Sequence, residues 1–192
     1  MSRGIPSLMF PGQGALRAST SHNGVPRARF ESVLTRIASS TPDSKGAEVT
    51  RQLATSLRQQ APNTPAELSL FVYAGSIAHH LSLEDNGVHP GVLIGHAFGE
   101  IPALVCGGAL SIERGAEIVV HRTAVLTECR RSGGAMIALK ASLAAAERLV
   151  ALTGSKWSGV AAENSPSDVV ISGTIDAIEA VRHMTAREGI PT

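Results

Sequence analysis

The stretch Val92–Glu100, VLIGHAFGE, has the spacing of a turn built for nucleophilic chemistry. An apolar run ends at Gly95, and Gly99 and the acidic Glu100 open the helix expected next. In a G-x-S-x-G elbow the middle residue stands at the tip of a sharp strand-to-helix turn, and its hydroxyl oxygen attacks the substrate. Here that position is Ala97, whose methyl group cannot attack. The spacing alone also fits a plain structural turn. Three other segments carry chemically pointed residues: FPGQG (10–14), the pair His121–Arg122, and ENSPSDVVISG (163–173). His79 and His80 are adjacent on one expected helix, so their side chains diverge and cannot form an i, i+4 metal pair; they read as surface or packing residues. Cys106 and Cys129 have no second pair, which excludes a cysteine-rich zinc or disulfide framework and suits a reducing, cytoplasmic setting.

The elements around these residues follow from punctuation and pattern. Residues 7–10 read as a short buried strand running into PGQG, and 15–26 as loop. Helices are expected over 26–38 and 46–60. The run TPAE marks a firm start: Thr64 caps, Pro65 suits the first turn and Glu67 completes a capping box, with the helix running to about Leu83. A strand at 91–95, a helix at 99–108 and a helix from Ser111 to about Arg131 complete the first part. After RRSGG the pattern becomes strand 134–140, helix 142–152, strands 157–163 and 168–173, and helix 174–187 stopped by Gly189. This β-α-β-β-α order is a ferredoxin-like split unit without its last strand, and it leaves an open sheet edge.

Composition narrows the function classes. The chain has 192 residues, 43% of them hydrophobic and only 3% aromatic, so its core is aliphatic. Seventeen Lys and Arg nearly balance sixteen Asp and Glu, which argues against a nucleic-acid surface. No apolar run is long enough to span a membrane, and the start is too short and too broken by Pro6 and Pro11 for a signal peptide.

FPGQG, GHAFGE, HR and ENSPSDVVISG, in this order and spacing, resemble the malonyl-CoA–acyl carrier protein transacylase family, which includes the acyltransferase domains of fatty acid and polyketide synthases. The resemblance runs from Met9 to about Pro191. It implies an α/β fold: a hydrolase-like parallel-sheet subdomain at 1–132 and an inserted ferredoxin-like α+β subdomain at 133–192, incomplete at its C-terminus. In the family, a serine takes the acyl group from CoA and passes it to the phosphopantetheine thiol of a carrier protein. Both steps pass through an oxyanion that needs fixed donors. The resemblance assigns those donors to the backbone N–H groups of Gln13 and Phe98, with Gly12 and Gly14 allowing unusual dihedrals around Gln13. It assigns Arg122 to the carboxylate of a malonyl-type acyl group, and its planar fork suits a two-point grip. A snorkelling surface arginine is the alternative. His96 matches a pocket-lining histidine that is not the general base. Asn164 matches the asparagine of an N-x-P turn, with a purely turn-holding role equally open.

Three departures from the family bear on function. Ala97 stands where the family has serine. The family's catalytic histidine, beyond the strand expected after Thr192, has no counterpart here. Glu67 replaces a glutamine, where a carboxylate would repel an acidic acyl group unless it serves the cap. Cys106 lies more than two helical turns beyond the elbow, too far to substitute for the serine. The expectation is an acyltransferase of this type, with acyl-CoA and acyl carrier protein as partners, and the missing C-terminal segment or a host synthase as a further one. No metal or other cofactor is implied. As it stands, the chain is expected to be inactive. The alternative is a non-catalytic homologue that binds CoA or carrier protein; a general α/β-hydrolase relative would have no reason to combine FPGQG with ENSPSDVVISG.

Overall fold

The computed structural model describes residues 5–12, 26–40, 45–129 and 133–192. Most of the loop expected at 15–26 therefore lies outside the described residues, as do Gln13 and Gly14. The chain forms two compact units, Met1–Thr127 and Glu128–Thr192.

In the first unit, β1 (Ser7–Phe10) lies parallel to β2 (Val92–Gly95), with Leu8 opposite Leu93 and Phe10 opposite Gly95. The helices α1 (Arg27–Ala38), α2 (Lys45–Leu57) and α3 (Pro65–Asp85) form the crossover between them. A parallel pair requires such a long connection. After β2 come a 3₁₀ turn (Ala97–Gly99), α4 (Glu100–Cys106) and α5 (Ile112–Cys129), so the helix expected at 99–108 begins as a tighter turn. α2 stops at Leu57, short of the expected 60, because Gln59 and Gln60 bond back to the Ser56 carbonyl in a turn. The core gathers Phe30, Leu34 and Ile37 of α1 with Leu70, Tyr73 and Ile77 of α3 and Val119 of α5. Phe30 meets Phe71 edge to face at 4.9 Å between ring centres. Each such buried side chain contributes roughly 1.5–3 kcal/mol.

α3 begins as its sequence requires. Thr64 accepts the Glu67 N–H at 3.1 Å, and Glu67 reaches back to the Thr64 N–H at 3.1 Å. Glu67 also accepts from the Asn63 N–H and the Ser56 hydroxyl, and is only 4% exposed. The carboxylate is thus committed to the helix start, in keeping with the capping-box reading.

The second unit is an antiparallel sheet in the order β3-β5-β4, built from β3 (Gly134–Leu139), β4 (Gly159–Ser165) and β5 (Asp168–Thr174). Helices α6 (Leu143–Thr153) and α7 (Ile175–Glu188) complete it. Ile137, Leu139, Val169 and Ile171 pack against Leu149, Ile178 and Val181 of the helices. β4 starts at Gly159 rather than 157. The Trp157 N–H bonds to Ser155 Oγ and the Ser158 hydroxyl to the Ser155 carbonyl, a local turn that competes with the ladder. Gly189 ends α7 in the left-handed region at φ 68°.

Among the described residues β3 is an edge strand, and the Lys140 N–H donates to the Pro191 carbonyl at 2.9 Å beside its end. β4 is irregular, with register shifts at Val160/Ala162 and Glu163/Ser165, whereas β3 is regular and uncharged over six residues. Hydrogen exchange should therefore show outer-edge amides of β3 exchanging much faster than those of the central β5, or the chain self-associating through that edge; uniform strong protection in a monomer would count against an open edge.

The cap has a measurable pH signature. The Glu67 carboxyl is held below the usual carboxylate range, chiefly by the Ser56 hydroxyl; burial opposes this, and the Asn63 and Thr64 donors add to it. A depressed folded-state pKa gives stability that is present above the ordinary value and lost as pH falls through the depressed one. Urea unfolding at pH 7 should show Glu67→Ala costing about 1–2 kcal/mol. Glu67→Gln should cost less and remove the acid-side loss that Glu67 contributes.

Candidate functional site

The elbow is a product of two close backbone approaches. A Cβ built on Gly95 would lie 2.4 Å from Glu100 Cα, and one on Gly99 would lie 2.1 Å from the Phe10 carbonyl oxygen. Both neighbours are main chain, so neither can move aside cheaply, and only glycine fits. The His96 N–H donates to the Phe10 carbonyl at 3.0 Å, and the Gly99 N–H to the His96 carbonyl at 2.9 Å. The strand therefore turns at once into the 3₁₀ turn. Ala97, at the tip, takes φ 52°, the one non-glycine positive φ among the described residues. Left-handed backbone costs an L-residue about 1–2 kcal/mol. This is the strained tip on which a nucleophile elbow displays its side chain.

The loop after β1 closes against this tip. A Cβ on Gly12 would sit 3.1 Å from His96 Nδ1 and 3.7 Å from Ala97 Cβ. Gly12 is not among the positive-φ glycines, so here its small size matters rather than the unusual dihedrals expected of it. His96 and Ala97 are exposed, while Phe98 is buried with 2% exposure. Phe98 lies in the first turn of helix, where N–H groups lack intrahelical acceptors and favour negative charge.

Arg122 is half-buried on α5, and its Cζ lies 5.8 Å from the centre of the Phe98 ring. One residue further on, the buried Thr123 hydroxyl bonds Ser69 of α3 at 3.1 Å. Leu126, one helical turn beyond Arg122, is 47% exposed. The structure thus brings together Gly12, His96, Ala97, Phe98 and Arg122. Nothing in the periodicity of the sequence signalled the Phe98–Arg122 contact. Asn164 belongs to the second unit. It lies within β4 rather than in a turn, because the strand runs on to Ser165, and its Nδ2 donates to Asp168 at 3.4 Å.

Two concavities lie in the first unit, the second of them reaching the elbow glycine Gly95. One, of about 450 Å³, is lined by Leu8, Phe10, Phe71, Val72, His79 and Leu83. The other, of about 740 Å³, includes His80, Glu84, Gly95, Glu100 and Cys106. His80 is buried, 3.5 Å from the Glu84 carboxylate and with its ring against Phe10; His79 Nδ1 meets the Gly75 carbonyl at 2.8 Å. The Cys106 thiol is pushed up to about 12, first by burial and then by the Glu84 charge. It stays protonated at neutral pH and is a poor nucleophile. Among the described residues, no group of three or more His, Cys, Asp or Glu could hold a metal ion, and no helix is long and apolar enough to cross a membrane.

The erythronolide synthase EryA3 of Saccharopolyspora erythraea is 32% identical over 196 residues, covering 98% of this chain and 6% of the synthase. The solved malonyl CoA–acyl carrier protein transacylase of Coxiella burnetii superposes with a TM-score of 0.78 at 24% identity, covering 100% of this chain and 61% of that one. A malonyl-transacylase solved in complex with a type II polyketide synthase acyl-carrier protein gives 0.79 at 23% identity, covering 97% and 60%. This chain therefore spans a few per cent of its synthase relative and about three-fifths of these solved chains. The mixed helix–strand fold is that of acyltransferase domains. Residues 8–191, which contain the elbow, the loop before it and both units' elements, match the acyl transferase domain family, and the chain belongs to it.

Proposed function

We propose that this chain is built to place a malonyl-type acyl thioester at the elbow of a CoA-to-carrier-protein acyltransferase, and that it cannot form the acyl-enzyme itself. The observation that carries this is Ala97 at φ 52° between Gly95 and Gly99, a strained display position with no nucleophile on it. The donor is a CoA thioester and the acceptor the thiol of an acyl carrier protein; no metal or redox cofactor takes part. The Phe98 N–H, with that of Gln13, would receive the oxyanion. Arg122 would grip the free carboxylate, and His96 would line the pocket. Asn164 is a further substrate-binding candidate on the resemblance alone. Two cysteines with no disulfide framework fit a cytoplasmic site of action.

Ala97 itself favours a second reading, a non-catalytic homologue that docks CoA or carrier protein. A serine codon at this position in the parent gene would favour the enzyme, and alanine would favour the binding module.

Arg122 offers a direct test of substrate class. Calorimetric titration should show Arg122→Ala weakening malonyl-CoA binding by roughly 10- to 100-fold, the range for a lost charge-assisted hydrogen-bonded pair, with acetyl-CoA little changed. Equal losses for both would remove the assigned role.

A second test separates the nucleophile from its base. A serine hydroxyl attacks poorly without a neighbouring base, although oxyanion donors alone sustain some catalysis in other serine enzymes. Ala97→Ser in the 192-residue chain should give at most slow self-acylation by malonyl-CoA, seen as a malonyl adduct by mass spectrometry, and negligible transfer to carrier protein. The same change in a chain extended with the family's histidine-bearing segment should give rapid acylation and transfer. If the extended Ala97→Ser chain does neither, the enzyme reading fails and the binding module gains.

A further inference from the structure

We infer that Phe98 is a positioning residue for Arg122: its ring holds the guanidinium that recognises the acyl carboxylate, so that one residue ties the oxyanion donor to the acid-binding group. This rests on the reading of Arg122 given above. The ring is locked in the core with 2% exposure, and Arg122 Cζ lies 5.8 Å from its centre. A cation over an aromatic face is attracted by the ring quadrupole, which uses none of its N–H groups. The contact with Phe98 thus engages the flat face of the guanidinium and none of its five N–H donors. A free arginine side chain would give up rotamer entropy on binding. Resting against a fixed ring, Arg122 gives up part of that beforehand.

The geometry suits one chemical class. In a dicarboxylic acid monothioester such as malonyl-CoA, a single methylene separates the thioester carbonyl from the carboxylate. Recognising both ends at once needs two protein groups at a fixed separation, since small misplacements of a reacting group are costly. Phe98 supplies the first from its main chain and sets the second through its side chain. The neighbouring Thr123 bonds Ser69 of α3, so the residue after Arg122 is tied to the core.

The test uses the 192-residue chain, with malonyl-CoA and acetyl-CoA as probes and side-chain NMR of Arg122. In the unsubstituted chain the Arg122 Nε–H resonance should be displaced upfield by the ring; a position typical of an unstructured arginine overturns the proposal without any variant. Phe98→Leu keeps apolar bulk but removes the π face. It should abolish the displacement and weaken malonyl-CoA by roughly three- to tenfold more than acetyl-CoA. Phe98→Tyr should restore both readouts, which a merely structural defect would not predict. Equal weakening of the two thioesters by Phe98→Leu, or a malonyl preference that survives it, overturns the positioning role alone. Equal affinity of the unsubstituted chain for both thioesters overturns the reading of Arg122, and the positioning role with it.

Discussion

The first unit rests on main chain pressed against main chain. The carbonyl of Phe10, at the end of β1, occupies the space a side chain on Gly99 would need, and the same carbonyl accepts the His96 N–H. One oxygen thereby joins the end of the first strand to the turn after the second. With Gly95 also pressed on Glu100, the chain leaves the strand by a sharp reversal, and Ala97, the middle of the three residues between the glycines, takes positive φ. The order of dependence runs outward from there: the parallel register, the short helix α4, and the exposure of whatever side chain position 97 carries.

That strain bears on why the alanine is there. A turn chosen only for stability would hold glycine at φ 52°, since glycine meets no Cβ penalty in the left-handed region. Alanine meets the penalty and returns no hydrogen bond for it, as asparagine or aspartate could. It differs from serine by one oxygen atom and accepts the same backbone. The position is therefore shaped for a small L-residue whose Cβ direction matters, and strain of this kind persists where the surrounding structure over-determines it.

Much of this was legible in the residues, because it was local. TPAE encodes its own capping box, Gly189 its own left-handed stop, and the paired glycines the elbow. What was not legible depended on partners distant in sequence. Arg122 on α5 meets Phe98 across 24 positions of sequence, and α5 is joined to α3 by the Thr123–Ser69 bond and by the Tyr73 hydroxyl on the Ile112 carbonyl. Pro166 close behind Asn164 suggests a turn there, yet irregular pairing of β4 with β5 carries the strand through it. The helix α3 has buried residues around its whole circumference, so amphipathic periodicity could not say which face meets the sheet. Met9, Val92 and Ile94 are 66%, 50% and 43% exposed, although parallel strands normally bury both faces. Strand patterning alone does not foretell that.

The groups around the elbow also divide by what they need from position 97. An N–H at a helix start, and a guanidinium resting on a ring, keep their geometry whether the tip carries a methyl or a hydroxyl. Bond making is different, because it requires an atom that alanine lacks. Cys106 cannot supply that atom, since burial beside Glu84 keeps its thiol protonated. His80, held near the same carboxylate, is buried with no hydrogen-bond partner at Nδ1. Recognition and reaction are thus separate physical properties of this site. On the proposed reading the first would reside in main chain and in the Phe98–Arg122 pair, and the second would need an oxygen at position 97 and a base to take its proton.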